Sequence, residues 1–209
     1  MDLPRGRLTD FIIWVTFAAW AIVFGMGWQQ QADMMFGFIP AEITSGAWRL
    51  APLRAALSPL TATLVHGGLM HLLFNLLTLL VCGRFVERAL GMWGMGALYV
   101  AGAYAAALAR ILVTPESPVV GIGASTSVSA IIGAYAVLFS VSRAKAIGPI
   151  PAKAVQVIWL ALAWIGIQLL TGLATRGFGT QIDIVSHIGG FLAGILLARP
   201  LLRFRFRKA

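Results

Sequence analysis

Six apolar segments, each near the length needed to cross a bilayer, leave this chain few ways to fold. They cover residues 11–28, 60–82, 89–113, 122–141, 154–175 and 182–202. A spanning helix takes about 20 mostly apolar residues. In hydrocarbon every backbone N–H and C=O must be satisfied internally. The chain is 59% hydrophobic and 11% charged, with a mean hydropathy of +0.88, whereas a soluble domain is about 45–50% apolar and about 25% charged. The expectation is an all-α polytopic membrane protein, a bundle of six transmembrane helices. Residues 1–209 form a single domain, with 203–209 as a basic cytoplasmic tail. No A-x-A cleavage site follows the first segment, so it reads as a retained span.

The charges set an orientation. With six spans both termini share a side. Arg49, Arg54, Arg110 and Arg176 fall on the opposite side, and the other 12 of the 16 Lys and Arg fall with the termini. The positive-inside rule then makes both termini cytoplasmic. The net charge of +9 is topology-setting rather than a nucleic-acid signal, because no aromatic-basic motif or zinc spacing accompanies it. The longest connection, 29–59, carries Trp48-Arg49 and Arg54 among scattered apolar residues. Loops of that length in a compact protein are functional or partly structured, and this one reads as resting at the membrane interface. The lone cysteine, Cys82, cannot form an intramolecular disulfide and reads as a small core residue.

Against that apolar background a few polar side chains stand out. His66, His71 and Asn75 belong to the second segment, Ser125 to the start of the fourth and His187 to the start of the sixth. Polar groups inside a membrane are expensive and mark function by default. In the orientation above, the second, fourth and sixth spans all begin at the outer face. Gly67-Gly68 marks the start of regular helix in the second span. At ~1.5 Å rise per residue, His71, Asn75, Ser125 and His187 each fall on the order of 5–15 Å below the outer surface. One water-filled cavity could hold them all.

A serine hydroxyl becomes a nucleophile when a base takes its proton, and histidine suits that task. His71 and Asn75, four apart, stand about 40° apart on one helix face. Both can donate to a developing anion, as can the backbone N–H of Ser125 near a helix start. If the helix extends that far, His66 lies about 140° around from His71, and it reads as a support for a neighbouring loop. Each residue also has a plainer reading. Serines act as interhelical glue, and Ser127 and Ser129 compete with Ser125. His187 alone could relay protons. His66 and His71 are poorly spaced to share one metal, and no cysteine or Glu-x-x-His partner accompanies them, so no metal or cofactor is expected. Asp183, four before His187, reads as a cap of the sixth span, with a third catalytic member as the other possibility. Gly190-x-x-x-Gly194, Gly133 and Ala134 offer surfaces for close helix approach.

Taken together, these segments resemble the rhomboid family of intramembrane serine proteases. His66-Gly67-Gly68-x-x-His71-x-x-x-Asn75 is similar to its second-helix motif, and Gly123-Ala124-Ser125 to its Gly-x-Ser-Gly nucleophile motif, with Gly133 eight later. His187-x-Gly189-Gly190-x-x-x-Gly194 resembles the sixth-helix motif. Gly83-x-x-x-Glu87-x-x-x-Gly91 resembles a structural motif closing the second helix, and Trp48-Arg49 the first-loop pair. The resemblance implies a rhomboid-like six-helix bundle with a Ser125–His187 dyad. Its oxyanion hole would comprise His71, Asn75 and the Ser125 amide. Its partners would be the lipid bilayer and membrane-anchored substrates, cut in or beside a transmembrane segment. His66, Gly123, Glu87, Gly190 and Gly194 would be supporting residues. Trp159 and Trp164 in span five resemble a lateral gate, with plain aromatic packing as an equal account.

Two positions depart from the family pattern. Thr126 follows the nucleophile where most active relatives have glycine. Ser129 replaces an aromatic that stacks on the histidine in some relatives. Thr126 supports an alternative, a non-catalytic rhomboid-like protein that binds membrane clients. A transporter or metal protein using the histidines is a third reading. Short loops and the lack of a transit peptide point to a bacterial inner membrane.

Overall fold

A computed structural model describes residues 3–139, 145–174 and 183–207. The architecture is all-α, and among the described residues the extended pairing is confined to two isolated bridges, Phe38–Gly121 and Ile147–Ile150. Among the described residues nine α-helices follow one another: α1 (Arg7–Met26), α2 (Gln29–Phe36), α3 (Pro40–Thr44), α4 (Pro52–Thr61), α5 (Leu69–Thr78), α6 (Arg84–Val113), α7 (Ser125–Phe139), α8 (Ala152–Ala174) and α9 (Ile184–Arg205). Among the described residues α1, the run Leu69–Val113 and α9 are long and apolar enough to cross a membrane, and α7 and part of α8 are shorter apolar helices. The expected ends of the fourth and fifth spans at Val141 and Thr175, and the start of the sixth at Ile182, lie outside the described residues, as do Arg143, Arg176 and Lys208.

The second apolar segment is not helical from Leu60. Helix α4 ends at Thr61, a 3-10 turn covers Ala62–Leu64, and regular helix begins only at Leu69. The reason is local: Val65 and Gly68 are extended, the latter with φ 174° and ψ 163°. From Leu69 the helix passes through a π turn at Leu79–Gly83 and continues into α6. The break between the second and third segments comes at Gly91, whose φ of 76° and ψ of 168° occupy a region essentially restricted to glycine. The connection at 29–59 is mostly structured, as α2, α3, a 3-10 turn at Ala47–Leu50, and α4. Arg54 staples it by donating to Met34 O at 2.6 Å and Met35 O at 3.2 Å and pairing with Glu42. Tyr104 donates to Ala56 O at 2.8 Å, which ties α4 to α6. Leu50, 91% exposed, and Leu53 turn apolar side chains outward there.

The core forms where α6, α7 and α9 pack against one another. Leu98 and Tyr99 of α6 meet Val128, Ala130, Ile131 and Ala134 of α7 and Ala198 of α9. Small residues make the crossing close. A Cβ on Gly194 would overlap the Ala130 carbonyl, one on Gly190 the Thr126 carbonyl, and one on Gly133 the Phe191 carbonyl. Gly189 faces α6 in the same manner, with Ala109 Cβ 2.6 Å from where its own would lie. By contrast the described side chains of α8 are mostly exposed or half-buried: Val155 is buried, Trp159 is 65% exposed and Trp164 is half-buried.

One end of the bundle is locked by charge. Helix α1 starts after Gly6 with no side-chain cap of its own. Glu87 supplies one from α6, accepting from Leu8 N at 3.0 Å, Thr9 N at 2.8 Å and Thr9 Oγ1 at 2.6 Å. Arg84 pairs with Asp10 at 2.8 Å, and Arg205 at the end of α9 donates to Arg88 O. The start of α1, the region before the Gly91 break and the end of α9 therefore share one end. The starts of α5, α7 and α9 lie at the other.

Candidate active site

Ser125 opens α7, and its position is set by the two residues before it. Gly123 donates its N–H to Ala62 O at 2.9 Å and holds φ at 110°. Its missing side chain makes room for a neighbour: a Cβ there would lie 2.5 Å from both Cε1 and Nε2 of His71 and 3.6 Å from Ser125 Oγ. Ala124 is fully buried and donates its N–H to His66 Nε2 at 3.3 Å. His66 is 1% exposed, and its ring lies 4.9 Å from that of His71, centroid to centroid. His66 thus holds the turn that presents the serine.

His187 belongs to the first turn of α9. Its Nε2 lies 2.8 Å from Ser125 Oγ, a normal hydrogen-bond distance, and its backbone N–H donates to Asp183 O at 3.2 Å. Asp183 is the N-cap, taking Ser186 N on Oδ1 at 3.0 Å and Ser186 Oγ on Oδ2 at 2.6 Å. Its Oδ2 also meets Arg110 Nε at 2.9 Å. Capping and pairing with Arg110 are thus what engages both carboxylate oxygens.

The remaining candidates divide. His71 stands beside Gly123, near the serine. Asn75 is buried one turn along α5, and its Nδ2 donates to His71 O at 2.9 Å, which engages one of its two amide hydrogens. Gly190 and Gly194 are at the α7–α9 crossing. Glu87 is at the far end of the bundle, on the start of α1. Thr126 turns its carbonyl toward Gly190, and the serine–imidazole separation stays at 2.8 Å with this β-branched residue in place. Ser129 donates to Ser125 O at 2.7 Å and Ser127 to Tyr99 O at 2.8 Å. These two hydroxyls satisfy backbone carbonyls, whereas the Ser125 hydroxyl faces an imidazole.

Arg110 was not singled out by the sequence, which counted it only as an outer-side charge. A signal existed: an arginine ending one apolar segment and an aspartate starting another, both assigned to the same membrane face.

Chemically, a hydroxyl bonded to an imidazole can yield its proton as it attacks an electrophile. The sequence profile of the Rhomboid domain matches residues 54–204. RHOMBOID-like protein 5 of Arabidopsis thaliana is 30% identical over 138 residues, 66% of this chain and 41% of that protein. Rhomboid-related protein 2 of Mus musculus is 27% identical over 196 residues, 88% of this chain and 61% of that protein. The chain therefore spans less than two thirds of the length of these relatives. They come from a plant and a mouse and lend no support to a bacterial setting. Since the matched stretch runs from α4 through the helix starts that carry Ser125 and His187, the chain belongs to the rhomboid family.

Proposed function

We propose that this chain is an intramembrane serine endopeptidase that cuts membrane-anchored proteins in or beside a transmembrane segment. The observation that carries the reading is the 2.8 Å separation of Ser125 Oγ and His187 Nε2, side chains 62 residues apart in sequence. As Ser125 Oγ attacks the scissile carbonyl carbon, its proton passes to His187 Nε2. The carbonyl oxygen becomes an oxyanion, held by the Ser125 amide, His71 and the second amide hydrogen of Asn75. Collapse of the tetrahedral intermediate breaks the C–N bond, and His187 returns the proton to the leaving amine. A water, deprotonated by the same imidazole, then releases the acyl group from Ser125. No aspartate is required, and Asp183 caps its helix.

In this reading the chain crosses the membrane six times with both termini cytoplasmic, and the dyad lies below the outer face. The 29–59 connection rests its exposed Leu50 and Leu53 at the outer interface. The helical backbone of a substrate hides its carbonyls in hydrogen bonds, so locally unwound, small-residue segments are the preferred sites.

The test is fluorophosphonate labelling of the wild type beside Ser125→Ala and His187→Ala. The wild type should label and cleave a transmembrane substrate, and Ser125→Ala should do neither. Cleavage that persists in Ser125→Ala defeats the assignment. Thr126 favours a second reading, client binding without catalysis, for which binding unaffected by Ser125→Ala and no Ser125-dependent product is the expected outcome.

A further inference from the structure

A guanidinium with only 6% of its side chain exposed needs a cause in a chain this apolar. A buried cation is tolerated when it is paired and hydrogen-bonded. Arg110, in the last turn of α6, divides its donors among three separate segments. Nε meets Asp183 Oδ2 at 2.9 Å, Nη2 donates to Val119 O at 2.8 Å and Nη1 reaches Phe38 O at 3.5 Å. Every one of these contacts leads toward the dyad. Residues 119–121 run into the turn that presents Ser125. Phe38 is held to Gly121 by two backbone bonds of 3.0 and 2.8 Å. Asp183 caps the helix that bears His187 and takes the His187 N–H on its own carbonyl. Gly121 leaves the passage open, since a Cβ there would overlap Nη1.

A buried ion pair adds little net stability over an apolar group of similar shape. What it fixes is direction, because the planar guanidinium presents its donors in a rigid fork. Without Arg110 the start of α9 and the 119–121 segment have no shared side-chain anchor among the contacts described. We propose that Arg110, through Asp183, is a positioning residue that sets the distance between His187 and Ser125. The proposal rests on the serine-protease reading above.

Arg110→Met removes the charge with a chain of similar length. Asp183→Asn keeps a good N-cap while removing the charge. Fluorophosphonate labelling should be followed in time, so that the labelling rate and the final labelled fraction are both read, with kcat and KM on a transmembrane substrate. Each single variant should lower the labelling rate constant and kcat about tenfold at a nearly unchanged KM and full labelled fraction. The double variant should be no more than about twofold slower than the slower single, because both remove one interaction. Arg110→Lys should recover part of the rate. Unchanged rates in both singles overturn the proposal. So do losses that multiply to about a hundredfold in the double variant, or a reduced labelled fraction at an unchanged rate, which marks folding alone. A wild type that neither labels nor cleaves overturns the protease reading, and this proposal with it.

Discussion

Gly123 joins backbone strain to side-chain placement within a single residue. Its φ of 110° is unfavourable for any residue with a Cβ, and that Cβ would press on the His71 ring. Gly123→Ala should cost about 1–3 kcal/mol of stability and slow Ser125 labelling by about 10–100-fold through displacement of His71. Parallel thermal unfolding and labelling-rate measurements check this, and an unchanged rate would refute it. His66 works one residue on, where its Nε2 accepts the Ala124 N–H at 3.3 Å. His66→Phe leaves that buried amide without an acceptor and should cost about 1–3 kcal/mol. His66→Gln, which retains an acceptor, should cost less, as read from the two unfolding midpoints. The angular offset that separated His66 from His71 and Asn75 in the sequence does not apply, because regular helix begins only at Leu69 and the two imidazole rings lie 4.9 Å apart. The partner of His66 was not legible either, because Ala124 lies 58 residues away and no local pattern reports such a pairing.

At the scale of elements, the seam between α7 and α9 carries the geometry. Gly194 and Gly190 press on the carbonyls of Ala130 and Thr126, so any added side chain pushes the two helices apart. Gly194→Val should destabilise by about 1–3 kcal/mol and lower labelling of Ser125 more than an equal destabilisation placed in α8. Unfolding and labelling compared with a Val155→Ala variant would test that ordering. The Gly-x-x-x-Gly spacing made this contact legible. Helix boundaries were legible where glycine interrupts the chain, as at Gly67-Gly68 before Leu69 and at Gly91, two residues past the expected start of the third span. They were not legible at Leu60. Hydropathy records which residues are apolar and not the backbone angles they adopt, so a short helix, a 3-10 turn and an extended stretch read there as one continuous run. The Arg110–Asp183 pair escaped for a related reason, since it depends on which two connections meet.

The molecule as a whole has two dissimilar ends. One gathers His66, His71, Ser125, Asp183 and His187, and the other gathers Asp10, Arg84, Glu87 and Arg205. The six-span reading makes the second end cytoplasmic. In a Cys82→Ala background, a cysteine at Ser45 should react with a membrane-impermeant maleimide added outside, and one at Ala209 only after the membrane is opened. Equal reactivity of both in sealed cells would reject the topology. Glu87 makes the second end sensitive to a single carboxylate. Glu87→Ala strips the acceptor from two backbone amides and the Thr9 hydroxyl, a loss of about 1–3 kcal/mol for each group left buried and unsatisfied. The variant's unfolding midpoint measures it.

That carboxylate also imposes an order on biosynthesis. Helix α1 has no side-chain acceptor of its own for its leading amides, and the one it uses is encoded 78 residues downstream of Thr9. At ~5–20 residues per second it waits roughly 4–16 s in the membrane before its anchor has been translated. Helix α1 is thus made well before it is fastened, and a nascent chain halted short of Glu87 would leave its start without that anchor.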